Sequence, residues 1–291
     1  MKFAIIGGNS RWGKVLIKNF RNFNLKLSYT SSRYIKSNKN FKDFRLIPYQ
    51  KVDFIIICSD IKKNLLAASF FLKKKKPIFI EKPISDNKKN YLHLANLAKK
   101  EKTILFCNYQ HIYADPLQYI KKRLEYKEKI EKIYINFGKD GPIKNINSSY
   151  EWLPHPLSII YFLIKKIEKI KIKYVNFFSK KKTNIILSNI ILNKKKQNFI
   201  DAYVESGNNF KKKIYLVKIF TNRNCYIYDA RKPNQLLVNN KIKIFKNFPL
   251  FNSINSFLKI IRKHNEKSNK IYDLNIGITK KIMLFLDKNN L

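Results

Sequence analysis

Apolar residues open the chain in short unbroken runs. Phe3-Ala4-Ile5-Ile6, Val52–Cys58 and Pro77–Ile80 are each bounded by turn residues, acids or lysines. Such runs predict strands buried on both faces of a parallel sheet. Leu25–Tyr29 and Thr103–Cys107 read as further strands. Between the strands the spacing turns helical. Trp12, Val15, Leu16, Phe20 and Phe23 form one stripe, and helices follow at about 61–72 and 86–100. Strands alternating with helices predict a doubly wound sheet over residues 1–118. From about residue 131 the period changes. Segments 131–137, Lys171–Phe178, Asn184–Leu192, Asn198–Glu205, Lys213–Thr221, Cys225–Asp229 and Lys241–Phe245 interleave apolar residues with Lys and Asn. That alternation predicts an antiparallel or mixed sheet with one wet face. Helices are expected at 115–127, 155–166, 250–264 and 271–287. The expected class is α/β, with a second, α+β domain over 119–291 whose last helix packs back on the first.

Glycine sharpens the first domain. Of only seven glycines, three fall in the first 13 residues: Gly7, Gly8 and Gly13. They lie in Gly7-Gly8-Asn9-Ser10-Arg11-Trp12-Gly13, between the first strand and the first helix. Strand, glycine turn and helix form the phosphate-binding start of a Rossmann fold. Glycine lets a pyrophosphate approach the backbone, and the helix N-terminus supplies N–H donors and a favourable dipole. The spacing differs from GxGxxG, with Ser10 at the middle position, where a hydroxyl can serve phosphate. After the second strand an acid would bind the ribose of NAD. No acid occurs between Gly13 and Asp43. Ser31, Ser32 and Arg33 stand there instead and suit a 2′-phosphate. The expected cofactor is therefore NADP(H) rather than NAD(H). Gly7, Ser31, Cys58 and Lys82 all fall at carboxyl ends of strands, where an open α/β sheet binds its ligand, and Ser59 beside Cys58 is counted with the cofactor site.

Charge changes this picture little. The 61 Lys+Arg exceed the 19 Asp+Glu by 42, which raises the question of a nucleic-acid partner. However, residues 1–150 carry 32 − 11 = +21 and residues 151–291 carry 29 − 8 = +21. Fifty-three of the 61 are Lys, and Lys, Asn and Ile together make 130 of 291 residues. These residues have A/T-rich codons, so the excess reads as compositional drift, with no specific nucleic-acid partner. Lysine runs such as Lys73–Lys76, Lys180–Lys182, Lys194–Lys196 and Lys211–Lys213 then mark solvated ends and turns. No apolar run approaches the roughly 20 residues of a membrane span. Three scattered cysteines form no disulfide framework, which favours a reducing cytoplasm. They and the four histidines have no metal-ligand spacing, so no metal is expected. His93 and His264 read as surface residues.

The segments IIGG…WGK, VDFIIICSD and PIFIEKPIS resemble the glucose–fructose oxidoreductase and inositol dehydrogenase (Gfo/Idh/MocA) family over roughly residues 1–120. The resemblance implies an NAD(P)-dependent enzyme acting on CH–OH groups of sugars, sugar nucleotides or related polyols, and a homo-oligomer, dimer or tetramer. It assigns Lys82 of the Glu-Lys-Pro tripeptide to substrate, nicotinamide and proton transfer. A partly desolvated lysine beside a positive ring has a lowered pKa and suits that task. It sets Glu81 beside the nicotinamide. Asn64 stands where many members have His, and Gln110, in Asn108–His111, lines the cofactor site. The family's D-x-G-x-H-x-x-D motif is matched by Glu151–Ser158, with His155 as the acid/base. Glu151, Leu153 and Ser158 replace its other three residues, so a cofactor-binding sensor or degenerate paralogue without turnover stays open.

Overall fold

The computed structural model describes the chain except residues 33–37, 141–147, 165, 166, 168, 174–183, 194–197, 263–265, 290 and 291. Arg33, His264 and the lysine runs at 180–182 and 194–196 lie outside the described residues. The chain divides into two compact units, Met1–Asn108 with Ser253–Asn290, and Tyr109–Asn252.

The first unit holds six parallel strands. They are β1 (Lys2–Ile6), β2 (Lys26–Ser31), β3 (Asn40–Phe41), β4 (Phe54–Ile57), β5 (Ile78–Glu81) and β6 (Leu105–Asn108). Their order is β3-β2-β1-β4-β5-β6, the doubly wound sheet the alternation predicts. Strands β4 and β6 are buried throughout, because helices cover both faces. The connecting helices are α1 (Arg11–Arg21), α2 (Ile61–Lys73) and α3 (Lys88–Lys100). On one face Phe3 and Phe54 stack at 5.6 Å, while Phe20 of α1 meets Phe79 edge-on at 5.2 Å.

The edge strand β6 is closed by side chains from distant sequence. Numbered ahead of these, α4 (Asp115–Tyr126), α5 (Ser148–Trp152) and α6 (Pro154–Leu163) belong to the second unit. α7 (Pro249–Arg262) crosses the boundary at Ser253, and α8 (Glu266–Lys288) belongs to the first. Asn275 of α8 is fully buried. Its Oδ1 accepts from the Cys107 N–H at 3.0 Å and its Nδ2 donates to the Cys107 carbonyl at 2.8 Å. One side-chain amide thus takes the place of a neighbouring strand and leaves neither group of Cys107 unsatisfied.

The second unit carries an eight-stranded mixed sheet. Its strands are β7 (Ile130–Gly138), β8 (Lys169–Lys173), β9 (Asn184–Asn193), β10 (Asn198–Gly207), β11 (Ile214–Thr221), β12 (Cys225–Asp229), β13 (Gln235–Val238) and β14 (Lys241–Ile244). The order is β14-β13-β12-β11-β7-β10-β9-β8, and among the described residues only β7 and β10 of this sheet pair in parallel. The alternation in β11 and β12 puts Val217, Ile219, Tyr226 and Tyr228 inside. Three short elements, β3, β13 and α5, escaped the periodicity, being too short to show a period. α8 begins at Glu266, five residues ahead of the expected start.

Candidate functional site

The glycine turn is built by backbone constraints. Gly7 has φ +86°, and a Cβ there would lie 2.5 Å from the Cys58 carbonyl oxygen. Both features demand glycine. A Cβ on Gly13 would lie 2.8 Å from Gly8 Cα, so the third glycine lets α1 close onto the turn. The Gly7 N–H donates to Ser31 O at 2.8 Å, tying the turn to the end of β2. Ser10 is the N-cap of α1, its Oγ accepting from the Gly13 N–H at 2.9 Å. The hydroxyl read as a phosphate ligand is therefore engaged in capping, though Ser10 still lines the cleft.

That cleft measures about 380 Å³ and is lined by Gly7, Asn9, Ser10, Ser31, Ser32, Cys58, Ser59, Asp60 and Lys63. Ser32 Oγ accepts from Asn9 Nδ2 at 2.7 Å and donates to Asn40 Oδ1 at 3.0 Å. Ser31 is fully buried, and its Oγ has no hydrogen-bond partner among the described residues. A buried hydroxyl on the wall of a cleft calls for a hydrogen-bond partner that the described residues do not supply. Together with a cradle that a Cβ would fill, it fits a dinucleotide. Seven residues marked from sequence share this cleft; Asp60 and Lys63 were missed. Asn64 is buried instead, its Oδ1 accepting from the Ser59 N–H at 3.0 Å and hydroxyl at 2.8 Å. Gly8, Arg11, Trp12, Gly13, Glu81 and Lys82 are not among the lining residues.

At the end of β5, Glu81 lies opposite Asn108 of β6. Asn108 Nδ2 donates to Glu81 Oε1 at 2.6 Å, and Ser253 Oγ of α7 donates to Asn108 Oδ1 at 2.7 Å. The Trp12 indole also bonds Glu81. Burial pushes the Glu81 carboxyl up; these hydrogen bonds and the charge of Lys82 oppose the shift without cancelling it. Burial, then the nearby Glu81 charge, pushes the Cys58 thiol up to about 12, so Cys58 is an unreactive wall. The Lys82–Pro83 bond is cis.

In the second unit His155 is the second residue of α6. Its ring meets His111 edge-on, centroids 4.9 Å apart. His111 faces Phe137 at 5.2 Å and Tyr228 at 6.4 Å. The buried Tyr228 hydroxyl has no hydrogen-bond partner among the described residues. Ser158 Oγ donates to the His155 carbonyl at 2.7 Å, so the residue in place of the motif's last Asp serves the helix backbone. Gln110 and His111 share one turn of 3₁₀ helix; its sequence neighbour was the only signal for His111. No group of His, Cys, Asp or Glu that could hold a metal occurs among the described residues.

Residues 1–109 match the family described as the Gfo/Idh/MocA oxidoreductase family, NAD-binding Rossmann fold. The match covers 109 of the 291 residues, within the first unit and its boundary. No curated protein sequence matches it. Its fold is similar to that of UDP-N-acetylglucosamine 3-dehydrogenase from Acidithiobacillus ferrooxidans, at TM-score 0.81 and 13% identity, covering 98% of this chain and 95% of that one. An oxidoreductase from Sinorhizobium meliloti gives the same four values. An inositol dehydrogenase homologue from Azotobacter vinelandii, complexed with NADH and myo-inositol, gives TM-score 0.78 and 10% identity over 98% and 93%. At such identities the likeness concerns the fold, and it extends over both units of the chain. Among the described residues no helix is long and apolar enough to cross a membrane.

Proposed function

We propose that the protein is an NADP(H)-preferring oxidoreductase acting on a hydroxyl or carbonyl carbon of a sugar, sugar nucleotide or related polyol. The observation that carries the cofactor half is the end of β2: two buried serines, one with an unpartnered hydroxyl, and no acid before Asp43. An acid there would repel a 2′-phosphate. The substrate half draws on the two structures of similar fold that are named for UDP-N-acetylglucosamine and inositol.

The bound nicotinamide would supply the hydride chemistry. The chain's own residues divide the remaining work. The turn from Gly7 to Ser10 and the N-terminus of α1 would hold the pyrophosphate. Lys82 and His155 would give or take the proton of the reacting hydroxyl. The face of the eight-stranded sheet that alternates toward solvent would serve a homo-oligomer, dimer or tetramer, which light scattering would reveal.

The test has two stages. NADPH is titrated by its fluorescence, and panels of sugars, polyols and sugar nucleotides are then screened for turnover. Lys82→Ala should lower turnover by at least about a hundredfold while NADPH still binds. Unchanged turnover would remove Lys82 from the mechanism. Ser158, bonded to the helix backbone and lacking a carboxylate, favours a second reading as a cofactor-binding protein without turnover. Tight NADPH binding with no substrate in any panel would favour that reading.

A further inference from the structure

Lys63 occupies an electrostatically awkward position. It is the third residue of α2, whose first turn contains no acid. A helix N-terminus is itself positive, so a cation there is disfavoured unless an anion compensates. No protein anion does so fully. Asp60, the exposed N-cap, accepts from the Lys63 backbone N–H at 2.9 Å. Asp43 is held low first by its hydrogen bonds from Arg45, with the charge of Lys63 contributing least. Its carboxylate already pairs with Arg45 at 2.6 Å. Among the described residues the Lys63 ammonium is in no ion pair or hydrogen bond. Yet Lys63 lines the cleft, and it is the one cation among the described lining residues.

The same cleft is lined by Ser31, whose buried hydroxyl has no hydrogen-bond partner among the described residues. The pyrophosphate has its own place at the glycine turn and α1. Lys63, in the first turn of the helix that follows β4, and Ser31, the last residue of β2, line one cleft, and the end of β2 is where the adenosine ribose is read. We propose that Lys63 is a residue through which this chain selects a phosphorylated adenosine ribose. Its ammonium pairs with the phosphate, and the Ser31 hydroxyl donates to it. This specificity role rests on the NADP(H) reading above and adds to it a cation that no motif marks.

The test measures binding of NADPH and NADH by fluorescence to the wild type, Lys63→Met and Lys63→Arg, with thermal melts confirming that all three fold. Lys63→Met keeps the aliphatic stem and removes the charge. It should weaken NADPH about tenfold or more and NADH less than about twofold. Lys63→Arg should restore most of the difference. If the wild type prefers NADPH and Lys63→Met keeps that preference, the proposal is overturned and the NADP(H) reading stands. Equal losses for both nucleotides would also overturn it, since Lys63 would then serve a part they share. If the wild type shows no preference, the NADP(H) reading fails first.

Discussion

Glu81 of the first unit and Glu128 of the second are both carboxylates held by hydrogen bonds, and the two are treated oppositely. Glu128, just after α4 in the second unit, accepts four hydrogen bonds. Arg123 Nε donates at 2.8 Å and Asn224 Nδ2 at 2.9 Å, the Thr221 hydroxyl at 3.0 Å and the Tyr226 hydroxyl at 2.7 Å. Burial alone would raise this carboxyl; the donors and the Arg123 charge outweigh it and hold the group below its ordinary range. Glu81 in the first unit has an amide and an indole for donors and a lysine as neighbour, and burial wins. The contrast separates roles. A carboxylate saturated by donors and a guanidinium is a fastener, joining the start of β7 to the β11–β12 turn. One left above its ordinary value, next to Lys82 at a strand's carboxyl end, fits the functional role proposed for that tripeptide.

Removing Glu128 should therefore have the largest effect on stability. Glu128→Ala strands the buried Tyr226 hydroxyl and removes the shared acceptor of four donors, while the half-exposed Arg123 guanidinium keeps its water, and should cost about 3 kcal/mol. Urea unfolding measures it. A loss below about 1 kcal/mol would mean that water replaces the carboxylate and that the fastener reading is wrong.

Asn108→Leu comes next. It deprives both Glu81 Oε1 and the buried Ser253 hydroxyl of partners, at a cost of about 2 kcal/mol. It should also disturb the Trp12 side of the carboxylate. Tryptophan fluorescence in a Trp152→Phe background, leaving Trp12 as the reporter, should shift. An unchanged spectrum would show that Glu81 keeps its pose without Asn108.

The same contrast explains what could be read in advance. Strands β1, β4 and β5 were legible because burial on both faces demands unbroken apolar runs. The glycine turn stood out because glycine is scarce elsewhere in the chain. The polar fasteners were not legible, because their partners are far apart in sequence. Glu128 meets Tyr226 across 98 residues, and Asn275 meets Cys107 across 168. Lys63 was invisible for another reason. In a chain with 53 lysines, one more in a helix's first turn carries no signal until its place on the cleft is known. His111 was hidden by topology, since only folding brings its ring against His155.

The smallest and sharpest effect concerns pH. A carboxyl raised in the folded state contributes stability that is complete below the unfolded value, about 4.3, and is lost as pH rises through the folded value. Glu81→Gln abolishes that loss, since glutamine cannot ionise. Relative to wild type it should change stability by less than about 1 kcal/mol at pH 5 and move in the variant's favour as pH rises toward 8. A carboxyl lowered in the folded state behaves in reverse. The stability Glu128 provides is complete above about pH 4.3 and is lost as pH falls through its folded value, so Glu128→Gln should be most harmful at neutrality and least at pH 3. Unfolding curves at three pH values for the two variants thus predict slopes of opposite sign. Parallel slopes would show that the two carboxylates share one environment and that the division between fastener and functional group is false.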